Sequence, residues 1–432
     1  MTVPHSLISA CCLAISLVAV GTVSAESYFD HTVEPSSVKD ELQIGVTFRV
    51  WIPEDTNTLR GVIVHQHGCG EGACRSGETG ATDLHWQALA AKWDCALLSP
   101  RYHQDQEQSC RLWCDPRNGS DKVFVEALEV LAERSKHPEL ATVPWCLWGH
   151  SGGGFWASLL QMQYPERIVA IWFQSGTAHS RWVSGEIEAP KISDAAMGIP
   201  MIACPGYKER GHQRFKVAYS GCYEMVLDYR RRGAPIAFAP DPKSGHETRD
   251  GRYLAIPFFD ECLQMRLPDA AGTALLKPVA FSEGAYTPLL EDYSDAVDLE
   301  LIAARENANW LPSRDLAAKW AEFVKTGEVS DPTPPPAPQN VQIIGNTVTW
   351  NAAIDPESGL GGFIIYRDGK EIGRLPAEPN TRFGRPLFQG NTYHDTPDFE
   401  QPEMKFVDTK GGGKSYRVVA FNSAGRKSEP AP

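Results

Sequence analysis

A serine set between glycines is the residue in this chain whose type and spacing point most directly to chemistry. Gly149-His150-Ser151-Gly152-Gly153 fits G-x-S-x-G, the pattern of a nucleophile carried on a sharp strand-to-helix turn. Glycines suit such a turn because side chains there would collide, and the helix that follows leaves backbone N–H groups free for an anion. A serine hydroxyl is a weak nucleophile near neutral pH, so it needs a base, and the base needs an orienting carboxylate. His246, within Lys243-Ser244-Gly245-His246-Glu247, is the expected base because it follows the last strand-like run; His212 is its competitor. A chain order of serine, acid, histidine places the acid between Ser151 and His246. Glu209 is preferred there, since it ends Pro205-Gly206-Tyr207-Lys208-Glu209 just after a strand-like run, and Asp241 is the alternative.

Attack on a carbonyl creates an oxyanion that needs two preorganised N–H donors. Gly152 supplies one, and the backbone of Cys69, in the turn His65-Gln66-His67-Gly68-Cys69-Gly70, supplies the other. A metal site at His65 and His67 lacks an obvious third ligand, and the cysteines form no pair of CxxC knuckles, so neither metal nor cofactor is expected. Phe155, Trp156, Trp113, Trp182 and Tyr207 are candidates to line an acyl or sugar pocket, with burial in the core as the alternative for each.

The elements that must position these residues read as an α/β layout, a mostly parallel sheet with helices on both faces. Strand-like runs begin at Gly61, Ala96, Trp145, Val169, Met201 and Ile236, and Phe124, Ala127, Leu128 and Leu131 recur at helical spacing between them. The catalytic region is placed at 26–267. Residues 268–330 read as a partly helical appendage in which Trp310, Leu311, Leu316, Trp320 and Phe323 pack back on it. A proline-rich stretch, 331–338, reads as an extended linker. From 339 to 432 the periodicity changes to two, with turns at Gly345-Asn346 and Asp368-Gly369.

At the other end, an apolar run from Leu7 through Val20 closes on Val23-Ser24-Ala25, which reads as a signal peptide, 1–25, and makes the protein secreted or periplasmic. No later run is long enough to span a bilayer. Removing Cys11 and Cys12 with that segment leaves an odd number of cysteines. Cys95 and Cys146 read as buried, whereas Cys69, Cys74, Cys110, Cys114, Cys204, Cys222 and Cys262 lie nearer loops or helix ends where disulfides form. With 41 Lys and Arg against 54 Asp and Glu, the formal charge of −13 repels nucleic acid and anionic membranes.

His67-Gly68-Cys69-Gly70, the cysteine and tryptophan of Cys110-Arg111-Leu112-Trp113, the helix from Asp121 and the Ser151 motif together resemble secreted esterases of the polyhydroxybutyrate depolymerase and feruloyl esterase group. That resemblance, over about Gly61 to His246, implies an α/β-hydrolase fold and hydrolysis of polymer-linked or plant-wall esters through an acyl-enzyme. A glutamate as acid and the appendage after Cys262 depart from it. Trp350, Tyr416, Val418, Ala420, Asn422 and Gly425 resemble the fibronectin type III pattern, which implies a β-sandwich without chemistry of its own. The expected activity is carboxylic ester hydrolysis; a peptidase on the same fold and a non-catalytic surface-binding protein are the other classes. The oligomeric state is not legible.

Overall fold

A computed structural model describes residues 27–431 apart from 270, 272–274, 296–298, 354, 379–383, 399 and 412–414. The expected signal segment, 1–25, lies outside the described residues. Among the described residues no helix is long and apolar enough to cross a membrane.

The runs of β-branched and aromatic residues form one eight-stranded sheet. Its strands are β1 (Tyr28–Val33), β2 (Val46–Trp51), β3 (Gly61–Gln66), β4 (Cys95–Tyr102), β5 (Trp145–His150), β6 (Ile168–Gln174), β7 (Met201–Cys204) and β8 (Ile236–Phe238), in the spatial order β1-β2-β4-β3-β5-β6-β7-β8. Strands β3 to β8 pair in parallel, and β1 and β2 add an antiparallel edge. The chemistry of the strands follows their place. Every residue of β3, β5 and β6 is buried, as a strand covered on both faces requires, whereas β1 and β2 alternate. Helices Leu84–Lys92, Ser120–Ser135, Gly152–Gln163 and Lys216–Arg231 make the crossovers. Phe124, Ala127, Leu128 and Leu131 of the second form its buried stripe. This is the α/β-hydrolase arrangement. The edge pair β1 and β2 lies outside the strands expected from sequence, because half-exposed strands show weaker apolar runs than inner ones.

Residues 268–330 hold β9 (Ala285–Pro288), β10 (Ala308–Leu311) and the helix Arg314–Thr326, capped by Ser313. They close the open edge at β8: Asn309 Oδ1 accepts from the Phe238 N–H at 2.9 Å, and Trp320 Nε1 donates to the Phe238 carbonyl at 2.9 Å. Leu311, Leu316, Trp320 and Phe323 join the main core.

The C-terminal strands form two antiparallel three-stranded sheets. One is β11 (Gln339–Ile344), β12 (Thr347–Asn351) and β15 (Lys405–Val407); the other is β14 (Lys370–Leu375), β13 (Leu360–Arg367) and β16 (Tyr416–Asn422). Val348, Trp350, Phe363, Phe388 and Val418 fill the space between them. This region is fastened to the α/β part by polar contacts: Leu84 N–H to the Phe388 carbonyl at 3.2 Å, Tyr253 hydroxyl to Gln389 Oε1 at 2.8 Å, and Thr248 N–H to the Tyr393 carbonyl at 3.1 Å.

Candidate active site

Ser151 stands between β5 and the helix Gly152–Gln163 with φ 53° and ψ −110°, a left-handed backbone that presents its side chain above the sheet edge. Its N–H donates to the Gln174 carbonyl at 2.8 Å, and its carbonyl accepts from Phe155 at 3.0 Å. The flanking glycines are required by close approach. A Cβ on Gly152 would lie 2.1 Å from the Cys69 sulfur, and one on Gly153 would lie 2.3 Å from the Gln66 carbonyl oxygen.

His246, in the turn after β8, places Nε2 2.9 Å from Ser151 Oγ and Nδ1 2.5 Å from Glu209 Oε1. Glu209 sits on the short turn Tyr207–Gly211 after β7 and is fully buried. Burial disfavours charge on both partners. It pushes the Glu209 carboxyl up, with Ser175 opposing, and pulls the His246 imidazole down, aided by His150, Arg214 and His212. The Phe215 ring stacks on the imidazole at 3.8 Å and 4° and holds its plane. Asp241 is buried elsewhere, and its Oδ1 accepts from the Lys243 N–H at 2.8 Å. His212 accepts from the Arg214 and Phe215 N–H groups instead of approaching Ser151.

Across the mouth from His246 lie the backbones of Cys69 and Gly152, whose N–H groups have no acceptor among the described residues. Cys69 is joined to Cys110 by a disulfide, which ties the turn after β3 to the short helix Arg111–Cys114. Cys74, Cys95, Cys114, Cys146, Cys204, Cys222 and Cys262 are free and buried. The sulfurs of Cys69, Cys110 and Cys114 lie within 4.8 Å of one another, but two of them are spent in the disulfide. His65 stacks on Trp148 at 4.0 Å, and His67 is held between the Gly68 and Pro100 carbonyls.

The cleft over Ser151 encloses about 360 Å³. Of the five aromatic residues considered for its wall, Phe155 lines it and four do not. Trp113 is buried, stacked on Tyr102 and donating to Gln104; Trp156 packs edge-on to Phe124; Trp182 packs against His179; and the Tyr207 hydroxyl donates to Asp292 at 2.8 Å. Helical spacing places an aromatic side chain on a face but does not say whether that face meets the core or the cleft. The rest of the wall includes Arg111, Thr177, Arg181, Arg214 and Phe215.

Sequence reasoning missed the residues beneath the site that come from a loop between β14 and β15 of the C-terminal region. His394 Nδ1 lies 2.8 Å from His150 Nδ1, and His150 Nε2 donates to the His246 carbonyl at 2.7 Å. Asp395 is buried with Arg252, Arg385 and His65, at 3.1 Å (Nη2 to Oδ2), 2.5 Å and 3.6 Å. Arg252 also grips Asp83 at 3.0 and 2.7 Å. Tyr393-His394-Asp395 fits no motif, and nothing local distinguishes it from an ordinary loop.

No family model matches the chain. No curated protein matches it either. Solved structures similar to it include an S-formylglutathione hydrolase from Agrobacterium tumefaciens, 13% identical, covering 56% of this chain and 95% of that one with a TM-score of 0.36. The siderophore hydrolase EstB from Aspergillus nidulans is 15% identical, covers 52% of this chain and 90% of its own, and has a TM-score of 0.34. A fungal esterase from Rhizomucor miehei is 12% identical, covers 55% and 82%, and has a TM-score of 0.35.

Proposed function

We propose that the chain is an exported carboxylic ester hydrolase with Ser151 as nucleophile, His246 as general base and acid, and Glu209 as the carboxylate that orients the imidazole. The observation that carries this reading is the unbroken contact from Ser151 Oγ through both nitrogens of His246 to buried Glu209, at 2.9 and 2.5 Å, opening on a cleft. Ser151 Oγ attacks the ester carbonyl carbon while its proton passes to His246 Nε2. The oxyanion is held by the Cys69 and Gly152 N–H groups, each worth about 3 to 4 kcal/mol to the barrier. Collapse breaks the bond to the alcohol oxygen, which takes the proton from His246. Water, giving its proton to His246, then attacks the acyl-serine; the bond to Ser151 Oγ breaks, that oxygen takes the proton back from His246, and the acid is freed. These steps need no cofactor.

The substrate we infer is an ester borne by a polymer or polysaccharide, as the resemblance to secreted esterases implies. The C-terminal sheets, with Trp350 and Tyr416 facing one core, support a fibronectin type III-like reading of 339–432. Hydrolysis of 4-nitrophenyl butyrate by the wild type and Ser151→Ala tests the mechanism. The variant is expected to lose about 10⁴-fold or more in kcat; equal rates would remove Ser151 from the chemistry. Release of acid from acetylated xylan, feruloylated sugars and polyhydroxybutyrate, assayed side by side, identifies the substrate.

A further inference from the structure

Three arginines face the cleft, and no aspartate or glutamate does among the described residues. Arg111 and Arg181 share a single carboxylate, Glu186, at 2.6 and 2.5 Å. Arg214 has no ion pair or side-chain hydrogen bond among the described residues; its guanidinium rests 5.0 Å over the Phe215 ring, which also stacks on the His246 and His212 imidazoles. The mouth therefore carries a local excess of positive charge on a chain whose formal charge is −13. A cation left unpaired two rings from the reacting base is unfavourable for the imidazolium that forms during acyl transfer, and a bound anion removes that cost. A guanidinium offers a planar fork that fits a carboxylate, and a cationic mouth concentrates anionic substrates.

We propose that the substrate ester carries a carboxylate, in its acyl or its alcohol part, and that Arg214, backed by Arg181 and Arg111, binds it. This rests on the esterase reading above. The test compares kcat/KM for mono-4-nitrophenyl adipate with 4-nitrophenyl hexanoate, and for 4-carboxyphenyl butyrate with its methyl ester, so that the carboxylate is placed first on the acyl and then on the alcohol side. In one pair or the other the anionic ester is expected to be favoured about tenfold or more, the size of one hydrogen bond to a charged group. That ratio should fall toward one in Arg214→Gln and, in the wild type, as salt screens the exposed charges. Taking the ratio cancels any effect of the substitution on His246. If the neutral esters are cleaved and neither anionic ester is favoured, the carboxylate site is refuted while the esterase reading stands. If Ser151→Ala cleaves the neutral esters as fast as the wild type, it is the esterase reading that falls.

A separate observation concerns the floor of the site. A carbonyl oxygen only accepts, so the 2.7 Å contact to the His246 carbonyl puts a proton on His150 Nε2. Burial keeps His150 neutral by pulling it down to about 4, which leaves its Nδ1 as an acceptor, and the donor to it is His394 Nδ1. Two residues past His246, the Thr248 N–H and hydroxyl are also held by the Tyr393 carbonyl, at 3.1 and 3.2 Å.

From this we infer that His394 is a positioning residue, acting through His150 on the backbone that carries the base. Replacing it by alanine frees His150 to change tautomer and lets the His246 turn shift, so kcat is expected to fall about ten- to hundredfold with KM little changed. His394→Asn retains a side-chain N–H near the same place and should recover most of the rate. A loss below twofold in His394→Ala, or equal losses in the two variants, would overturn the assignment. Thermal unfolding of both separates a lost contact from a lost fold.

Discussion

At Ser151 the backbone strain and the raised position of the hydroxyl have one cause. The left-handed turn lifts Oγ clear of the sheet and turns the next N–H toward the same point. The partner most open to experiment is Glu209. Buried and 2.5 Å from Nδ1, in the proposed mechanism it fixes the imidazole tautomer that leaves Nε2 free to take the Ser151 proton. Glu209→Gln keeps the shape but allows the wrong tautomer, and kcat is expected to fall by about 10³- to 10⁴-fold. The sign of the pH effect follows from charge. The carboxylate stabilises the imidazolium, so its removal makes His246 harder to protonate. The acid limb of kcat/KM in Glu209→Gln should therefore move to lower pH than in the wild type, and a limb moving to higher pH would contradict the assignment. Glu209 lies where a strand-end acid was expected, whereas Asp241, equally eligible by chain order, turns to its own loop. Position in the chain could not separate them, because the choice depends on which side chain reaches across to the turn after β8.

The turn after β3 and the helix Arg111–Cys114 act together because Cys69 and Cys110, separated by 41 residues, are bonded. Closing a loop of that length removes disorder from the unfolded chain worth about 4 kcal/mol, and here it also steadies the Cys69 N–H. Cys69 is exposed, so a reductant in solution reaches its bond to Cys110. Treatment with dithiothreitol should lower both the melting temperature and kcat of the wild type, the latter about tenfold. Cys110→Ala should start from the lowered values and be insensitive to reductant. Unchanged kcat after verified reduction would mean that the turn holds its shape without the bond. The cysteine spacings left several pairings open, since a disulfide needs Cα atoms about 6 Å apart, a distance that only the packing of the two segments sets.

Across the whole molecule, the C-terminal sheets are joined to the α/β core through buried charge. Asp83 and Arg252 from the core meet Arg385 and Asp395 from the C-terminal region, two cations and two anions with almost no exposure. Balanced pairing offsets the cost of burial, but removing one member strands a charge at about 3–5 kcal/mol, a large part of the 5–15 kcal/mol that holds a typical fold. Linker composition gave no hint of this. The proline-rich stretch reads as an extended linker, and Asp331 at its start accepts from Ser358 and Asn422. By itself the sequence determined what is local: the inner strands, from apolar runs that burial on both faces demands; the turn that carries Ser151, from glycines that alone fit it; and the order in which serine, acid and histidine occur. The tertiary structure alone decided which carboxylate meets His246, which cysteines bond, which aromatic side chains face the cleft, and that His394 reaches His150 across 244 residues of chain. Those contacts join surfaces that meet only when separately formed layers dock, and docking leaves no period or spacing in the sequence.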